Sequence, residues 1–336
     1  NRVHSLVDQI GDEIVSAVTR RMPSGGAMHI EDIQDHVELS LMRAGEHKVA
    51  RSYVLYREER KKERALSLES QTALELSSSA LQVTMADGTK KPLDTERLQK
   101  ILKEACWQGS GTDPEALMEE TKRALFDGVA EVDVSNAATM AARTFIEREP
   151  NYTYVAARVL LDSLRQEALT FVGGNREEAT QEEMSEQYPS YFESYIKKAI
   201  SLELVDSRLG NYDLKKIGKA LRPERDFNFN YLGLQTLYDR YFIQSEDVRF
   251  ELPQAFFMRV AMGLAINEIE TEKWTIKFYD LLSSFDFMSS TPTLFNSGTL
   301  RPQLSSCYLS TVDDSIDGIF GTIHGQARLS KYAGGL

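Results

Sequence analysis

Two stretches of the chain carry the same helical pattern of apolar residues, and this internal repeat constrains the fold more than any other feature. Residues 30–42 and 134–146 align at an offset of 104 positions, with apolar residues at helical spacing in both. The matched positions are Ile30 with Val134, Ile33 with Ala137, Val37 with Ala141, Leu41 with Phe145, and Met42 with Ile146. A second match follows in 49–55 and 156–161, where an Ala-Arg pair opens a further helix in each copy. The repeat predicts two copies of one helical domain.

The second copy is preceded by the pattern of a β-hairpin. Residues 81–85 and 90–93 flank the dipeptide Asp87-Gly88, which is typical of a tight hairpin turn. Asp94 then follows, and its carboxylate predicts the N-cap of the first helix. The second copy is therefore predicted to be a hairpin followed by about four helices, and the first copy lacks the hairpin.

The composition favours a multidomain, cytoplasmic protein and excludes several classes of function. The chain has 336 residues, a hydrophobic content of 42% and a net charge of −12. Its apolar runs are far shorter than the roughly 18 residues that a membrane helix needs, and no signal-peptide pattern is present. The negative charge argues against nucleic-acid binding, because phosphates require a basic surface. Two distant cysteines and five histidines without ligand spacing predict no metal site.

Both ends of the sequence are typical of an internal piece of a longer protein. Asn1 is not an initiator methionine, and Leu6, Ile10 and Ile14 begin a helical apolar stripe with no cap before it. The last residues, 333–336, are apolar and rich in glycine, unlike a solvated terminus. We expect a longer parent chain.

The segment around Cys307 carries the pattern with the most chemical content. The hydroxyl-rich stretch 290–298 precedes the thiol, and the acidic stretch 313–317 follows it. The three pieces predict two short strands and the start of a helix. Asp314 is predicted as the N-cap of that helix, with Asp317 at its third position, where a negative charge favours the helix dipole.

The order of these features resembles the large subunit of ribonucleotide reductase. The pieces around Cys307 resemble the start of that family's catalytic barrel, from the classes that keep a reducing cysteine pair. The repeated domain resembles the ATP-cone, the family's allosteric module, with residues 150–158 as its closest match. Residues 227–237 resemble the helical domain before the barrel. The resemblance implies a mainly α fold, made of ATP-cones (a β-hairpin plus helices), a helical domain and the first strands of a ten-stranded α/β barrel.

Four domains follow from this reading. They are a first ATP-cone at 1–65, truncated at its N-terminus, a second ATP-cone at 80–172, the helical domain at 174–285, and the truncated start of the barrel at 286–336. The aromatic residues of the helical region, among them Tyr191, Tyr238, Phe256 and Trp274, are predicted to fill the core and interfaces and to carry no chemistry.

The resemblance assigns a catalytic role to Cys307. Reduction of a ribose 2′-carbon takes two electrons, which a pair of thiols supplies by becoming a disulfide. Cys307 is assigned to one half of that pair, on a strand that fixes the thiol by packing on both sides. Its partner and the radical cysteine would lie beyond Leu336. The resemblance also implies that Thr293, Ser306 and Gly334 contact the substrate.

Allosteric sites are implied in two places. Asp314, Ser315 and Ile316 begin the specificity site, where a deoxynucleoside triphosphate at the dimer interface selects the substrate base. The family also binds ATP or dATP in its cones. The basic residues Arg57, Arg60 and Lys61 of the first cone are assigned to that nucleotide, and a solvated helix end is the alternative for them.

The second cone departs from the family pattern. A Lys-Arg pair normally precedes the hairpin turn, whereas this chain has Met85-Ala86 there. Triphosphates are held by charge-assisted contacts, so the loss of this pair predicts a spacer or docking surface in place of a nucleotide site. Cys106, at a helix end in this cone, has no thiol partner or flanking base and is predicted to be structural.

The resemblance further implies partners. They are a radical-generating small subunit, a second copy of the chain in a homodimer or higher oligomer, and a thioredoxin-type reductant, with no nucleic acid and no membrane. The radical source stays open between a metal cofactor in the small subunit and adenosylcobalamin.

A different class of function is also considered, a non-catalytic nucleotide-sensing or oligomerisation module built on paired ATP-cones. Transcriptional repressors that contain cones need a four-cysteine zinc ribbon, which two distant cysteines cannot form. The segment 289–317, which a pure regulator does not need, favours the enzyme.

Overall fold

The structure, a computed structural model, describes residues 81–85 and 87–336, together with scattered single positions before residue 81. The chain divides into two compact units, 1–81 and 82–336, and the second is described below. The predicted nucleotide residues of the first cone, Arg57, Arg60 and Lys61, lie outside the described residues, as does most of that cone.

The predicted hairpin is confirmed. Strand β1 (Gln82–Thr84) pairs antiparallel with β2 (Lys90–Pro92). Gly88 adopts a φ of +80° in the turn, a left-handed conformation that glycine reaches without strain. A two-residue strand, β3 (Val129–Ala130), adds to β1 in parallel, and the sequence pattern did not predict it.

Four helices follow the hairpin, as predicted. They are α1 (Thr95–Ala105), α2 (Pro114–Ala124), α3 (Glu131–Thr144) and α4 (Tyr152–Gly173). Asp94 caps α1, accepting the backbone N–H of Arg97 at 2.8 Å. One detail was wrong, because α4 begins at Tyr152 and the Ala157-Arg158 pair lies inside it. Helix α4 packs against α1 and α3 and also against later helices.

The predicted helical region after residue 174 is confirmed, and a small hairpin interrupts it. Its helices are α5 (Gln181–Ser201), α6 (Leu214–Lys219), α7 (Tyr231–Arg240), α8 (Pro253–Ala265) and α9 (Thr271–Ser283), with 3₁₀ turns at Ser207–Asn211 and Pro223–Asn228. Strands β4 (Gln244–Ser245) and β5 (Val248–Arg249) form the hairpin. Glu246 and Asp247 occupy the turn between these strands and adopt positive φ values. Because glycine is the usual residue at such positions and is absent here, the sequence did not predict this turn.

Helix α8 lies at the centre of this region. It is buried on nearly every face, as expected for a helix whose sequence is apolar all round. Tyr191 and Phe256 are buried in the same core, while Tyr238 and Trp274 are half-buried at its edge. The prediction of a core role is confirmed for Tyr191 and Phe256, and Tyr238 packs against that core, whereas Trp274 lies outside it beside Phe278.

The last part of the chain corrects the sequence reading. The first predicted strand is instead helix α10 (Thr291–Asn296), because Pro292 stands in the first helical turn, where its fixed φ favours a helix. The second contributes only one bridge, Cys307 with Gly335. Helix α11 (Ile316–Lys331) follows, and its N-cap is Ser315, not Asp314, so Asp317 takes the second helical position. Among the described residues, no helix is long and apolar enough to cross a membrane.

A buried acid in the helical core gives a prediction about pH. Asp226 is 2% exposed and accepts hydrogen bonds from Tyr188 Oη at 2.8 Å and Gln254 Nε2 at 2.7 Å. Burial raises the pKa of Asp226 to about 6, although both hydrogen bonds oppose that shift. Because the folded pKa is above the unfolded one, the native state binds the extra proton. The stabilisation is complete below about pH 4 and is lost as the pH rises through about 6.

We expect the variant Asp226→Asn to lack this pH dependence. Between about pH 4 and pH 7 the wild-type chain should lose up to about 3 kcal/mol of unfolding free energy relative to the variant. Thermal unfolding of both proteins across that range measures the difference, and the shared carboxylates cancel in the comparison. Parallel stability curves would contradict the prediction.

Candidate active site

Cys307 lies on an exposed, irregular segment. Its flanking residues form the bridge to the chain end, with Tyr308 N donating to Gly335 O at 2.9 Å and Gly335 N donating to Ser306 O at 2.5 Å. The thiol is exposed, and Ser306 Oγ lies 3.8 Å from its Sγ atom. Within the described residues this segment pairs only with residue 335, and packing of the thiol on both sides of a strand stays a prediction.

Thr293 is joined to the thiol segment from helix α10. Its Oγ1 donates to Leu304 O at 3.1 Å, and Asn296 Nδ2 donates to Gln303 O at 2.8 Å. Both contacts run from one face of α10 to the backbone just before Cys307. The helix therefore sets where the thiol segment begins.

Gly334 lies on the other side of the same segment. A Cβ atom there would come within 2.9 Å of the Tyr308 ring and 3.1 Å of Leu329 O. A side chain at position 334 would collide with the ring of Tyr308, so packing within the chain already accounts for a glycine there. Through α10 and the bridge to Gly335, the structure brings Thr293, Ser306, Cys307 and Gly334 to one short stretch of backbone.

The predicted specificity residues form a separate group at the start of α11. Ser315 Oγ accepts the backbone N–H of Gly318 at 3.0 Å, and its own proton remains free to donate. Ile316 is 71% exposed, and Asp314 is exposed beside it. No contact of the described residues joins this group to Cys307 directly.

Two groups that sequence reasoning missed hold α10 in place. Arg259 of α8 donates from Nη1 to Ser297 O at 2.6 Å and from Nε to Glu251 Oε1 at 2.6 Å. Both charged side chains are fully buried. Burial disfavours the charge on Arg259, but the adjacent Glu251 carboxylate outweighs burial, and the pKa of the guanidinium is raised. An arginine within the apolar run 252–262 was the available signal, because a buried charge needs a partner.

Most cations of the second copy take part in internal contacts. Arg158 lies between the rings of Trp107 and Phe227, 4.2 and 4.4 Å from their centroids, and its Nη1 donates to Ala105 O at 2.9 Å. Burial lowers the pKa of Arg158 to about 10. Arg97 pairs with Asp162 at 3.0 Å. These side chains fasten the copy together and to the helical region.

Cys106 ends helix α1, as predicted, and is half-buried. Burial raises the pKa of its thiol, which disfavours the reactive thiolate. In the part of the chain that the structure describes, no group of His, Cys, Asp or Glu side chains could hold a metal ion.

Comparison with known proteins gives matches along the chain. The ATP-cone domain family matches residues 1–62 and 81–167, and the ribonucleotide reductase all-alpha domain family matches residues 227–302. The chain is 40% identical over 337 residues to the ribonucleoside-diphosphate reductase subunit alpha of Chlamydia muridarum, which covers 99% of this chain and 32% of the relative. It is 35% identical over 256 residues to the subunit alpha of Helicobacter pylori, covering 76% of this chain and 31% of the relative.

A eukaryotic relative is more distant. The large subunit of ribonucleoside-diphosphate reductase from Danio rerio is 31% identical over 259 residues, covering 76% of this chain and 31% of the relative. The chain spans about a third of the length of the curated relatives it matches.

Proposed function

The chain belongs to the ribonucleotide reductase large-subunit family, and on that premise we propose that its parent protein reduces ribonucleoside diphosphates to deoxyribonucleotides under nucleotide control. The observation that carries the proposal is the convergence of Thr293, Ser306, Cys307 and Gly334 on one stretch of backbone. Cone matches at both ends of the repeat support allosteric control by ATP or dATP. The match to the reductase all-alpha domain weighs against a purely regulatory module.

The proposed role of Cys307 is to supply half of the reducing equivalents. The 2′-hydroxyl of the ribose leaves as water, the 2′-carbon gains hydrogen, and two thiols lose two electrons and two protons as they join in a disulfide. In this role the sulfur of Cys307 would have to meet the substrate and then an external thioredoxin-type reductant that restores the thiol. The hydroxyls of Thr293 and Ser306 would hydrogen-bond the substrate.

We propose the start of α11 as the specificity site. Phosphate groups favour a helix N-terminus, where backbone N–H groups and the helix dipole meet an anion. The carboxylate of Asp314 can accept from a sugar hydroxyl, and Ser315 keeps a free proton to donate. The exposed Ile316 offers an apolar face to a base.

The remaining family features are carried over as proposals. We place the start of the ten-stranded α/β barrel at residue 286, and keep domain boundaries at 1–65, 80–172 and 174–285. The proposed partners are a radical-generating small subunit, a second copy of the chain and a thioredoxin-type protein, in the cytoplasm.

We expect the chain 1–336 alone to be inactive. It contains a single thiol at the site, so it cannot form the disulfide that supplies two electrons. Conversion of CDP to dCDP measures this, with the full-length protein as the positive control. Supplying the full-length protein with either a metal-bearing small subunit or adenosylcobalamin identifies the radical source. Turnover by 1–336 alone would contradict the proposed chemistry.

A further inference from the structure

Arg259 and Glu251 form an ion pair that is sealed inside the helical core. Besides the contact of Nε with Oε1, Arg259 Nη2 lies 3.2 Å from Glu251 Oε2, so the pair is a two-pronged fork. Ile243 N donates to Glu251 Oε2 at 3.0 Å, and Tyr195 Oη donates to the other carboxylate oxygen. The carboxylate is thus fully partnered, and the guanidinium is held at a fixed angle.

The free edge of the guanidinium faces the end of helix α10. Its Nη1 donates to Ser297 O at 2.6 Å, and weaker contacts of 3.5 and 3.4 Å reach the carbonyls of Phe295 and Leu294. A helix leaves its last carbonyls without internal partners, and a six-residue helix is marginal by itself. A cation at this end supplies those partners and complements the helix dipole.

The turn after α10 is enclosed by the helical domain. Ser297 Oγ donates to Val260 O at 2.7 Å, and Gly298 O accepts the backbone N–H of Asp206 at 2.9 Å. Gly298 adopts a φ of +77°, and a Cβ atom added at Gly263 would overlap its backbone nitrogen. These contacts therefore fix the position of the turn at residues 297 and 298 relative to α8.

From these observations we propose that Arg259 is a positioning residue for the thiol site, acting through α10. It fixes the carbonyl end of the helix, whose Thr293 and Asn296 hold the backbone at residues 304 and 303, three and four residues before the thiol. The inference rests on the proposed function, because it assigns the geometry of that site to a residue that touches no substrate.

Stability alone is a weak reason for such a pair. Desolvating two charges costs several kcal/mol, and well-packed apolar residues often replace a buried pair with no loss of stability. A planar guanidinium held by two hydrogen bonds is better suited to fixing the orientation of the carbonyls at the end of α10, which is a positioning role. This difference makes the inference testable, since stability and positioning can be separated.

The test compares variants of the full-length enzyme. Arg259→Met leaves the Glu251 charge buried and unpaired, and should lower the melting temperature. The double variant Glu251→Gln with Arg259→Met removes that charge and should recover part of the melting temperature. The recovery is partial because the single amide oxygen can accept from Tyr195 Oη or from Ile243 N, but not from both. The kcat/KM of the double variant should remain about tenfold to a hundredfold below wild type, because misplacement of a reacting group by about 1 Å has effects of this size. Arg259→Lys should recover part of that loss.

Arg165→Met is the matched control. Arg165 is also buried, but it binds Ala179 O at 2.8 Å and Gln181 Oε1 at 2.7 Å, away from α10. Its loss should lower the melting temperature and leave kcat/KM of the folded enzyme near wild type. A double variant with wild-type kcat/KM, or an equal fall in the Arg165 variant, would overturn the positioning role.

Hydrogen exchange separates this inference from the proposed function. Amides of residues 293–307 should exchange roughly tenfold faster in the double variant, with no change in α1 or α2. If the exchange changes as expected but the wild-type enzyme does not reduce ribonucleotides, the link from Arg259 through α10 to the thiol segment is supported and the proposed function fails. If the wild type is active and the exchange is unchanged, the positioning role fails.

Discussion

Replacement of Cys307 by serine in the full-length protein is expected to abolish steady-state reduction of ribonucleoside diphosphates. Serine keeps the size of the side chain, but its oxygen cannot form a disulfide, so the second reducing equivalent is missing. We expect kcat to fall by roughly a thousandfold or more, as when a group that takes part in covalent chemistry is removed. Turnover of CDP with excess reductant measures the loss.

A single-turnover experiment sharpens this test. Without external reductant, the wild-type enzyme should form about one dCDP per site and lose about two free thiols, and the Cys307→Ser variant should form none. Cys106→Ser is the control, since Cys106 is half-buried at the end of α1 and its raised pKa disfavours chemistry. Normal turnover by the Cys307 variant, or equal losses in both variants, would remove Cys307 from the reaction.

The sequence predicted correctly the turns, helix caps and helices whose formation depends on a few neighbouring residues. The dipeptide Asp87-Gly88 and the cap Asp94 fixed the hairpin and the start of α1, because a turn and a cap depend on a few adjacent residues. The helices from residue 174 to 285 followed from apolar spacing. The two-residue strand β3 left no signal, because its pairing with β1 comes from a distant part of the chain.

The segment 290–309 was misread for a related reason. The hydroxyl-rich stretch and the thiol segment were predicted as two short strands, but Pro292 at the start of α10 and the carbonyl contacts of Arg259 at its end favour a helix. The first signal was local and was overlooked. The second is tertiary, and a sequence shows only that an arginine lies in an apolar run, not which carbonyls it meets. The candidate residues Thr293, Ser306, Cys307 and Gly334 came from family resemblance. The contacts of Arg259 with α10, which hold this segment in place, came from the structure.

The second cone is expected to bind ATP and dATP at least about a hundredfold more weakly than a cone with the usual basic pair. Two charge-assisted contacts, each worth about 1.5–3 kcal/mol, are missing at Met85-Ala86, and together they amount to about 3–6 kcal/mol. Ala86 lies outside the described residues, but Met85 is described and half-buried beside the turn. The fastening of Arg97 and Arg158 into internal contacts agrees with a docking role for this cone.

Calorimetric titration of residues 80–336 tests that prediction, because it removes the first unit and keeps helix α4 with the helices it packs against. We expect no micromolar binding of either nucleotide, and a gain of affinity in the double variant Met85→Lys, Ala86→Arg.

Micromolar binding by the unaltered chain would show that other cations rebuild the site. Lys90 and Lys91 are then the first candidates, since they begin the exposed strand β2 directly after the same turn. Lys90→Ala with Lys91→Ala should abolish such binding, whereas Lys103→Ala, an exposed lysine on α1, should leave it unchanged. The same titration thus decides between a cone that docks and a cone that senses nucleotide.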